Sequence, residues 1–261
     1  MAILPPGTLL QLMYLRERLA QLPAGRFIEV GPGAGHTSAL LLSLGWQGEA
    51  YDLEQSTVDT LQQRFAREIE SGKYRAVHGD WLATGQSAQC DLVISCMVME
   101  HFDDEAQQRF LSFTRSALKP TGVMITIVPG SPDHWGIEDD IAGHVRRYTR
   151  DSAVDLFTQA GWVVKHTAGL TFPLSNILLP LSNFLVRRSE ARKLSLSMLE
   201  RTKQSGIRNV PMKTTFPSFL GLVLNERMMY PLHVLQKWKR TSDAALVLYV
   251  EATPTGVALE K

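Results

Sequence analysis

The chain has 261 residues, 44% of them hydrophobic and 20% charged, and a formal net charge of +1. That length accommodates one large α/β domain, or one domain with a sizeable insertion, in a composition typical of soluble globular proteins. A balance this close to neutral supplies no overall field toward nucleic acid, so neither DNA nor RNA is an expected partner. The two cysteines, Cys90 and Cys96, fall in one expected strand. At about 3.3 Å per residue they stand roughly 20 Å apart, which excludes a disulfide and leaves no framework or thiolate zinc site. The start, Met1 to Gly7, lacks a basic segment followed by a long apolar core. No signal peptide is therefore expected, and a reducing cytoplasm is the expected compartment.

In chain order, residues 8–22 read as a helix with a broad apolar face of Leu9, Leu10, Leu12, Met13, Leu15 and Leu19. Tyr14, Arg16 and Arg18 are its polar members, and Pro23 with Gly25 ends it. Phe27 to Val30 is a short buried strand, followed by Gly31, Gly33 and Gly35 and a helix opening at Thr37, which Gly45 closes. Glu49 to Leu53 is a second strand. A helix from Thr57 to Ile69 follows, with Ser56 as N-cap and Asp59 in the capping-box position. Arg75 to His78 and Asp91 to Ser95 are the third and fourth strands. A helix at 105–118 ends in Lys119-Pro120-Thr121-Gly122, and Val123 to Val128 is the fifth strand. Thr149 caps a helix over 150–160, Gly161 ends it, and Trp162 to Val164 form the sixth strand. Ala244 to Val250 supply the seventh. Strands alternating with helices at this spacing predict an α/β, doubly wound, mostly parallel sheet.

The glycine stretch is where a ligand can approach the backbone. A dinucleotide fingerprint needs glycine at position 36, where the chain has His36. Glu29, two residues before the first glycine, sits badly beside a pyrophosphate and suits a ligand with a cationic near end. Asp52 ends the second strand, where an acid accepts hydrogen bonds from a ribose diol or simply starts a loop. Gly79-Asp80-Trp81 offers a carboxylate and an aromatic face, suited to a nucleobase or to an ordinary turn. Met97, Glu100 and His101 follow the fourth strand at the end where open α/β sheets bind ligands. Gly143 to Thr149 concentrates His144, Arg146, Arg147 and Tyr148 before a helix. Such a cluster binds an acidic acceptor, or clamps onto Glu138, Asp139 or Asp140.

Residues 29–35 resemble the first motif, E/D-x-G-x-G-x-G, of the class I S-adenosylmethionine (SAM) dependent methyltransferases. Asp91-Leu92-Val93 with Glu100-His101, and Gly143-His144-Val145-Arg146-Arg147-Tyr148-Thr149, are similar to segments of the subgroup that includes the ubiquinone-pathway O-methyltransferases. The resemblance covers residues 24–168 and returns in the last strand. It implies a Rossmann-like fold with SAM over Gly31, Gly33 and Gly35, its ammonium toward Glu29, its ribose on Asp52 and Leu53, and its adenine by Asp80 and Trp81 near Met97. It implies an acceptor entering between the loop at 97–102, the segment at 134–148 and the insert, in reach of His134, Arg147 and Tyr148. An oxygen is the expected acceptor atom, with His101 or His144 as base, since a histidine pKa near about 6.5 suits neutral pH. No metal is expected.

One departure concerns Pro32, at a position that needs no side chain. The other is the insert at 169–243, roughly 75 residues where connections usually take about 4–6, which matches no acceptor pattern. Residues 1–23 are read as an N-terminal helix and 169–243 as a helical cap within a single domain. Pro173, Pro180, Pro217 and Pro231 predict short or kinked helices there. Neither apolar stretch of the insert is a run of about 20 residues, so neither spans a membrane. The insert is either a plain cap or also an amphipathic surface for a lipid-like acceptor or membrane interface. Arg187, Arg188, Lys237, Lys239 and Arg240 would form its polar margin, beside Arg192 and Lys193. A nicotinamide-dependent oxidoreductase is the alternative enzyme, against which His36 and Glu29 both speak. A nucleic-acid methyltransferase would show an N-P-P-Y type tetrapeptide where Ser95-Cys96-Met97-Val98 stands. A non-catalytic SAM-binding scaffold is the remaining class.

Overall fold

The computed structural model describes residues 3–83, 89–197, 200–201 and 210–255. Its apolar runs form a seven-stranded sheet: β1 (Arg26–Val30), β2 (Gln47–Asp52), β3 (Tyr74–His78), β4 (Cys90–Cys96), β5 (Leu118–Pro129), β6 (Trp162–Leu170) and β7 (Val247–Pro254). Their spatial order is β3-β2-β1-β4-β5-β7-β6. β1 lies parallel to β2 and β4, β2 to β3, and β4 to β5. β7 runs antiparallel between β5 and β6. The sheet is therefore mostly parallel, as the alternation predicts, with one reversed strand. The chain leaves β6 at its C-terminal end and re-enters the sheet from that same end, so β7 points the other way.

Helices cover both faces: α1 (Pro6–Leu19), α2 (His36–Ser43), α3 (Gln55–Arg64), α4 (Ala66–Glu70), α5 (Asp104–Ala117), α6 (Ile137–Ala142) and α7 (Arg150–Gln159). The central strand β4 shows why the sheet is covered twice. Leu92 and Ile94 pack with Leu41 and Leu61 on one side, while Val93 packs with Phe110 and Phe157 on the other. All three of these β4 side chains are wholly buried, each stabilising the fold by about 1.5–3 kcal/mol as an upper estimate. Cys90 and Cys96 mark the two ends of this strand as free thiols.

Four local expectations change. The helix expected over 57–69 breaks at Phe65 into α3 and α4, and α3 begins at Gln55 behind Glu54 rather than Ser56. The cause is Asp52, whose carboxylate accepts the Glu54 amide at 2.9 Å and turns the chain early. Residues 119–122 are an irregularity inside β5 and not a loop, since Leu118 already pairs with Cys90 before Val123 pairs with Leu92. Tyr14 faces inward, its hydroxyl 2.6 Å from His166 Nε2. The insert folds into α8 (Leu174–Glu190) and α9 (Glu226–Trp238), which run through Pro180 and Pro231 respectively. α8 reaches 17 residues, so it is not short; each internal proline forfeits one backbone hydrogen bond while the rest of the helix continues.

α8 packs on α6 and α1, and α9 packs on α1 and β6. Arg16 pairs with Glu226 at 2.7 Å, Lys237 with Glu17 at 2.6 Å, and Arg18 with Glu251 at 2.8 Å. Lys237 is thus tied inward rather than standing at a free margin. The three pairs seat α1 against α9 and β7.

Gly35 takes no part in lining the ligand cavities described below. It has φ +72°, and a Cβ there would lie 2.5 Å from Leu61 Cδ2 and 2.9 Å from Phe65 Cε2. The residue is a packing glycine beneath α3. Gly35→Ala should lower the unfolding free energy by about 2 kcal/mol, combining the left-handed backbone penalty with overpacking, and urea unfolding will measure it.

Candidate active site

The C-terminal ends of β1, β2 and β4 converge on a cavity of about 450 Å³. Gly31 and Gly33 form its floor with positive φ values of +70° and +50°. A Cβ on Gly31 would lie 2.6 Å from Val98 Cγ2, so only glycine lets this turn close against the β4 loop. The first residues of α2, His36 and Thr37, line the same space. Asp52, Leu53, Asp80 and Trp81 face it from β2 and β3. Asp52 is both turn former and lining residue, and burial raises its carboxyl above the usual range. Asp80 likewise accepts the Leu82 amide at 2.9 Å. Trp81 is buried edge-on against Phe110 and Phe113.

Glu29 lines this cavity from β1 and is almost wholly buried. Ser38 donates a hydrogen bond to it, but burial outweighs that bond and pushes its carboxyl up to about 7. The carboxylate lacks a cation of its own among its hydrogen-bond partners. A cationic ligand group is what would fully charge it.

A second cavity, of about 630 Å³, lies under the insert. Leu178, Leu179 and Leu185 of α8, with Phe216, Leu220 and Leu224, give it an apolar wall, and Arg147, Asp139 and His144 give it a polar end. Thr8, Gln11, Met97 and His101 line both cavities, so the two meet at these four residues. Met97 holds φ +56°, a conformation disfavoured for a side chain of its size, while its amide donates to Ile127 O at 2.8 Å. Strain of this kind is kept where surrounding structure enforces it, commonly at sites.

At the polar end, Asp139 is the fixed point. His144 Nδ1 donates to its Oδ1 at 2.8 Å, Arg147 Nε to the same oxygen at 2.9 Å, and the Gly136 amide to Oδ2 at 2.8 Å. Burial alone would raise this carboxyl, but the His144 and Arg147 hydrogen bonds prevail and hold it below the usual range. With Nδ1 bound, His144 presents Nε2, which lies 3.7 Å from Glu100 Oε1. Glu100 is fully buried, neither carboxyl oxygen has a hydrogen-bond partner among the described residues, and burial pushes it up to about 8. His101 stacks edge-on to His144 at 4.9 Å and donates Nδ1–H to Gly143 O at 3.3 Å. Burial, then the neighbouring His144, lowers its pKa to about 4 and keeps it neutral. One ligand atom each of Glu100, His101 and His144 lies within 4.8 Å of the others, close enough to share a proton or a cation.

Three expected site residues fall outside both cavities. Gly35 packs under α3, as described. Tyr148 is buried, donating to Met99 O at 3.0 Å and accepting from Gln107, so it locks the loop after β4 to α5. His134 turns to Ser131 Oγ at 2.8 Å. Arg146 pairs with Asp104 at 2.6 Å, away from residues 138–140.

The family model described as a methyltransferase domain matches residues 9–167, more than half of the chain. The chain belongs to this methyltransferase family. A 53-residue stretch is 36% identical to ribosomal RNA small subunit methyltransferase A of Campylobacter jejuni (strain RM1221), covering 20% of each chain. The chain thus spans about a fifth of the length of that curated relative. Among solved structures, the glycopeptide N-methyltransferase MtfA complexed with SAM is similar at a TM-score of 0.55 and 14% identity, over 94% of this chain and 87% of that one. Magnesium protoporphyrin IX methyltransferase from Synechocystis PCC 6803 is similar at a TM-score of 0.52 and 18% identity, over 63% and 77%. These structural likenesses concern the fold.

Within this methyltransferase-family chain, Thr8 and Gln11 are cavity-lining residues that sequence reasoning misses, while Asp139 is foreseen only as one of three candidate clamp partners. Thr8 and Gln11 sit in a helix whose pattern speaks only of packing, and Asp139 is one of three consecutive acids. The departure at His36 was the available signal for a further lining residue.

Glu29 generates a prediction about pH. Its folded pKa of about 7 exceeds the ordinary 4.5, so between those values the folded state binds more protons than the unfolded one. Its contribution to stability is full below the ordinary value and is lost as pH rises through about 7. Urea midpoints should therefore fall over that window, and Glu29→Gln should flatten part of the slope.

Proposed function

We propose that the protein transfers a methyl group from SAM to an oxygen of a small or lipid-like acceptor. The observation that carries this reading is the meeting of a glycine-floored cavity that holds Glu29, Asp52 and Asp80 with one walled by the α8 leucines, at Thr8, Gln11, Met97 and His101. Two ligands seated there touch without water between them, and holding reactants in contact supplies much of the rate in a methyl displacement. The residues of the first cavity fit SAM: a buried carboxylate without a cation at Glu29, a glycine floor, and Asp52 and Asp80 at the strand ends. Glu29 would take the ammonium, Asp52 with Leu53 the ribose, and Asp80 with Trp81 the adenine. Bound SAM supplies an electrophilic methyl on a sulfonium.

The acceptor belongs in the second cavity, its apolar body along the α8 leucines and its reactive oxygen toward His144 and Met97. His144 is the better base of the two histidines. Asp139 fixes its tautomer, leaving Nε2 to accept the hydroxyl proton, and supports the charge that results. His101 stays neutral and lines the junction. Arg147, tied to Asp139 and to Gly130 O at 2.9 Å, orients that end of the cavity. The single SAM-methyltransferase domain then includes the insert as the acceptor's cover.

Isothermal titration with S-adenosylhomocysteine, with NADH as control, tests the donor half. Micromolar binding of the first, weakened about tenfold or more by Asp52→Ala, is expected. Silence in a folded protein would overturn the reading and return the oxidoreductase. His144→Asn should lower kcat by about 10²–10⁴ while leaving S-adenosylhomocysteine affinity unchanged. Binding without turnover across a broad acceptor panel would make the chain a SAM-binding scaffold.

A further inference from the structure

Solvent meets an unusually apolar surface around the mouth of the second cavity. Leu181, Met212 and Val223 line the cavity and are yet about half exposed. Outward from them stand Ile177, Phe184, Phe219 and Leu222, with exposures of 71%, 61%, 66% and 79%. Ile177, Leu181 and Phe184 follow helical spacing and share one stripe of α8. Phe219 and Leu222 belong to the short turn Ser218–Leu222, whose Leu220 reaches into the cavity beside Val223. Single exposed leucines are ordinary, but a contiguous apolar collar around an opening marks an interaction surface.

Charge indicates what covers it. Arg187 and Arg188 follow Phe184 by one helical turn, and Arg192 stands just beyond α8. All three are exposed, and none pairs with a carboxylate among the described residues. An apolar stripe flanked by unpaired arginines is complementary to a bilayer interface with anionic headgroups. Among the described residues no helix is long and apolar enough to cross a membrane, so the contact is peripheral. The collar is continuous with the leucine-lined cavity, and an acceptor moving from one to the other keeps its apolar body out of water throughout.

We propose that this collar docks on an anionic lipid bilayer and admits an apolar acceptor from the bilayer into the second cavity. The proposal rests on the reading of that cavity as the acceptor site. Vesicle co-sedimentation of the full chain tests it, with phosphatidylcholine vesicles compared against vesicles also containing phosphatidylglycerol. The wild-type protein should partition onto the anionic vesicles and be released by salt. Ile177→Glu/Phe184→Glu and Phe219→Glu/Leu222→Glu, at positions that do not themselves line the cavity, should each lower partitioning at least about tenfold. Arg187→Glu/Arg188→Glu should lower it at least about tenfold on anionic vesicles alone. S-adenosylhomocysteine affinity should be unchanged in all three, which verifies folding and separates this test from that of the donor site. A wild-type protein that binds S-adenosylhomocysteine but stays in the supernatant with both vesicles overturns the docking proposal and leaves the methyl-transfer reading standing. A wild-type dimer that the collar substitutions convert to monomer, without vesicle binding, also overturns it by assigning the collar to a second copy of the chain.

Discussion

The antiparallel insertion of β7 between β5 and β6 is the constraint on which the site depends. A strand running backwards in a parallel sheet must be entered from the end where its neighbours finish. The chain between Leu170 and Val247 therefore turns at the C-terminal edge, the edge at which β1, β2 and β4 also present their loops. Had β7 been parallel, the connection would have had to return to the opposite edge. The cover over the second cavity thus follows from the direction of a single strand.

Burial sets the electrostatics of the site, and neighbours decide its sign. Three carboxyls stand in or beside the two cavities with little or no exposure: Glu29, Glu100 and Asp139. Burial pushes the first two toward neutrality, and among the described residues no cation stands in hydrogen-bond reach to offset it. Asp139 has Arg147 and His144 and stays ionised. One carboxylate is committed to orienting an imidazole, while the other two are free to respond to what enters. That division of roles is built from residues of the same chemical type, distinguished only by their surroundings.

Much of the sheet was legible because buried parallel strands are nearly unbroken apolar runs, as in Leu92-Val93-Ile94, and because Gly31, Gly33 and Gly35 punctuate the first turn. Thr149 was legible as a cap and does accept the Ser152 amide at 3.0 Å. What escaped depended on contacts distant in sequence. Tyr14 reads as polar until it meets His166, 152 positions away. Tyr148 reads as a site residue until Met99 O and Gln107 claim its hydroxyl. Asp139 cannot be told from Glu138 and Asp140 without the fold that turns it toward His144. The α8 leucines read as a cover, and nothing in their spacing shows that they line a cavity.

Thr8 and Gln11 place one helix in the walls of both cavities, and ion pairs to α9 and β7 hold that helix in place. Occupants of the two cavities would lean on the same face of α1. Their binding equilibria would then be linked through a shared wall as well as through direct contact. By reciprocity, the factor by which the first ligand changes the affinity of the second equals the factor by which the second changes that of the first. The N-terminal helix, which packs outside the parallel sheet, would in that sense be the arm of a balance between the two sites.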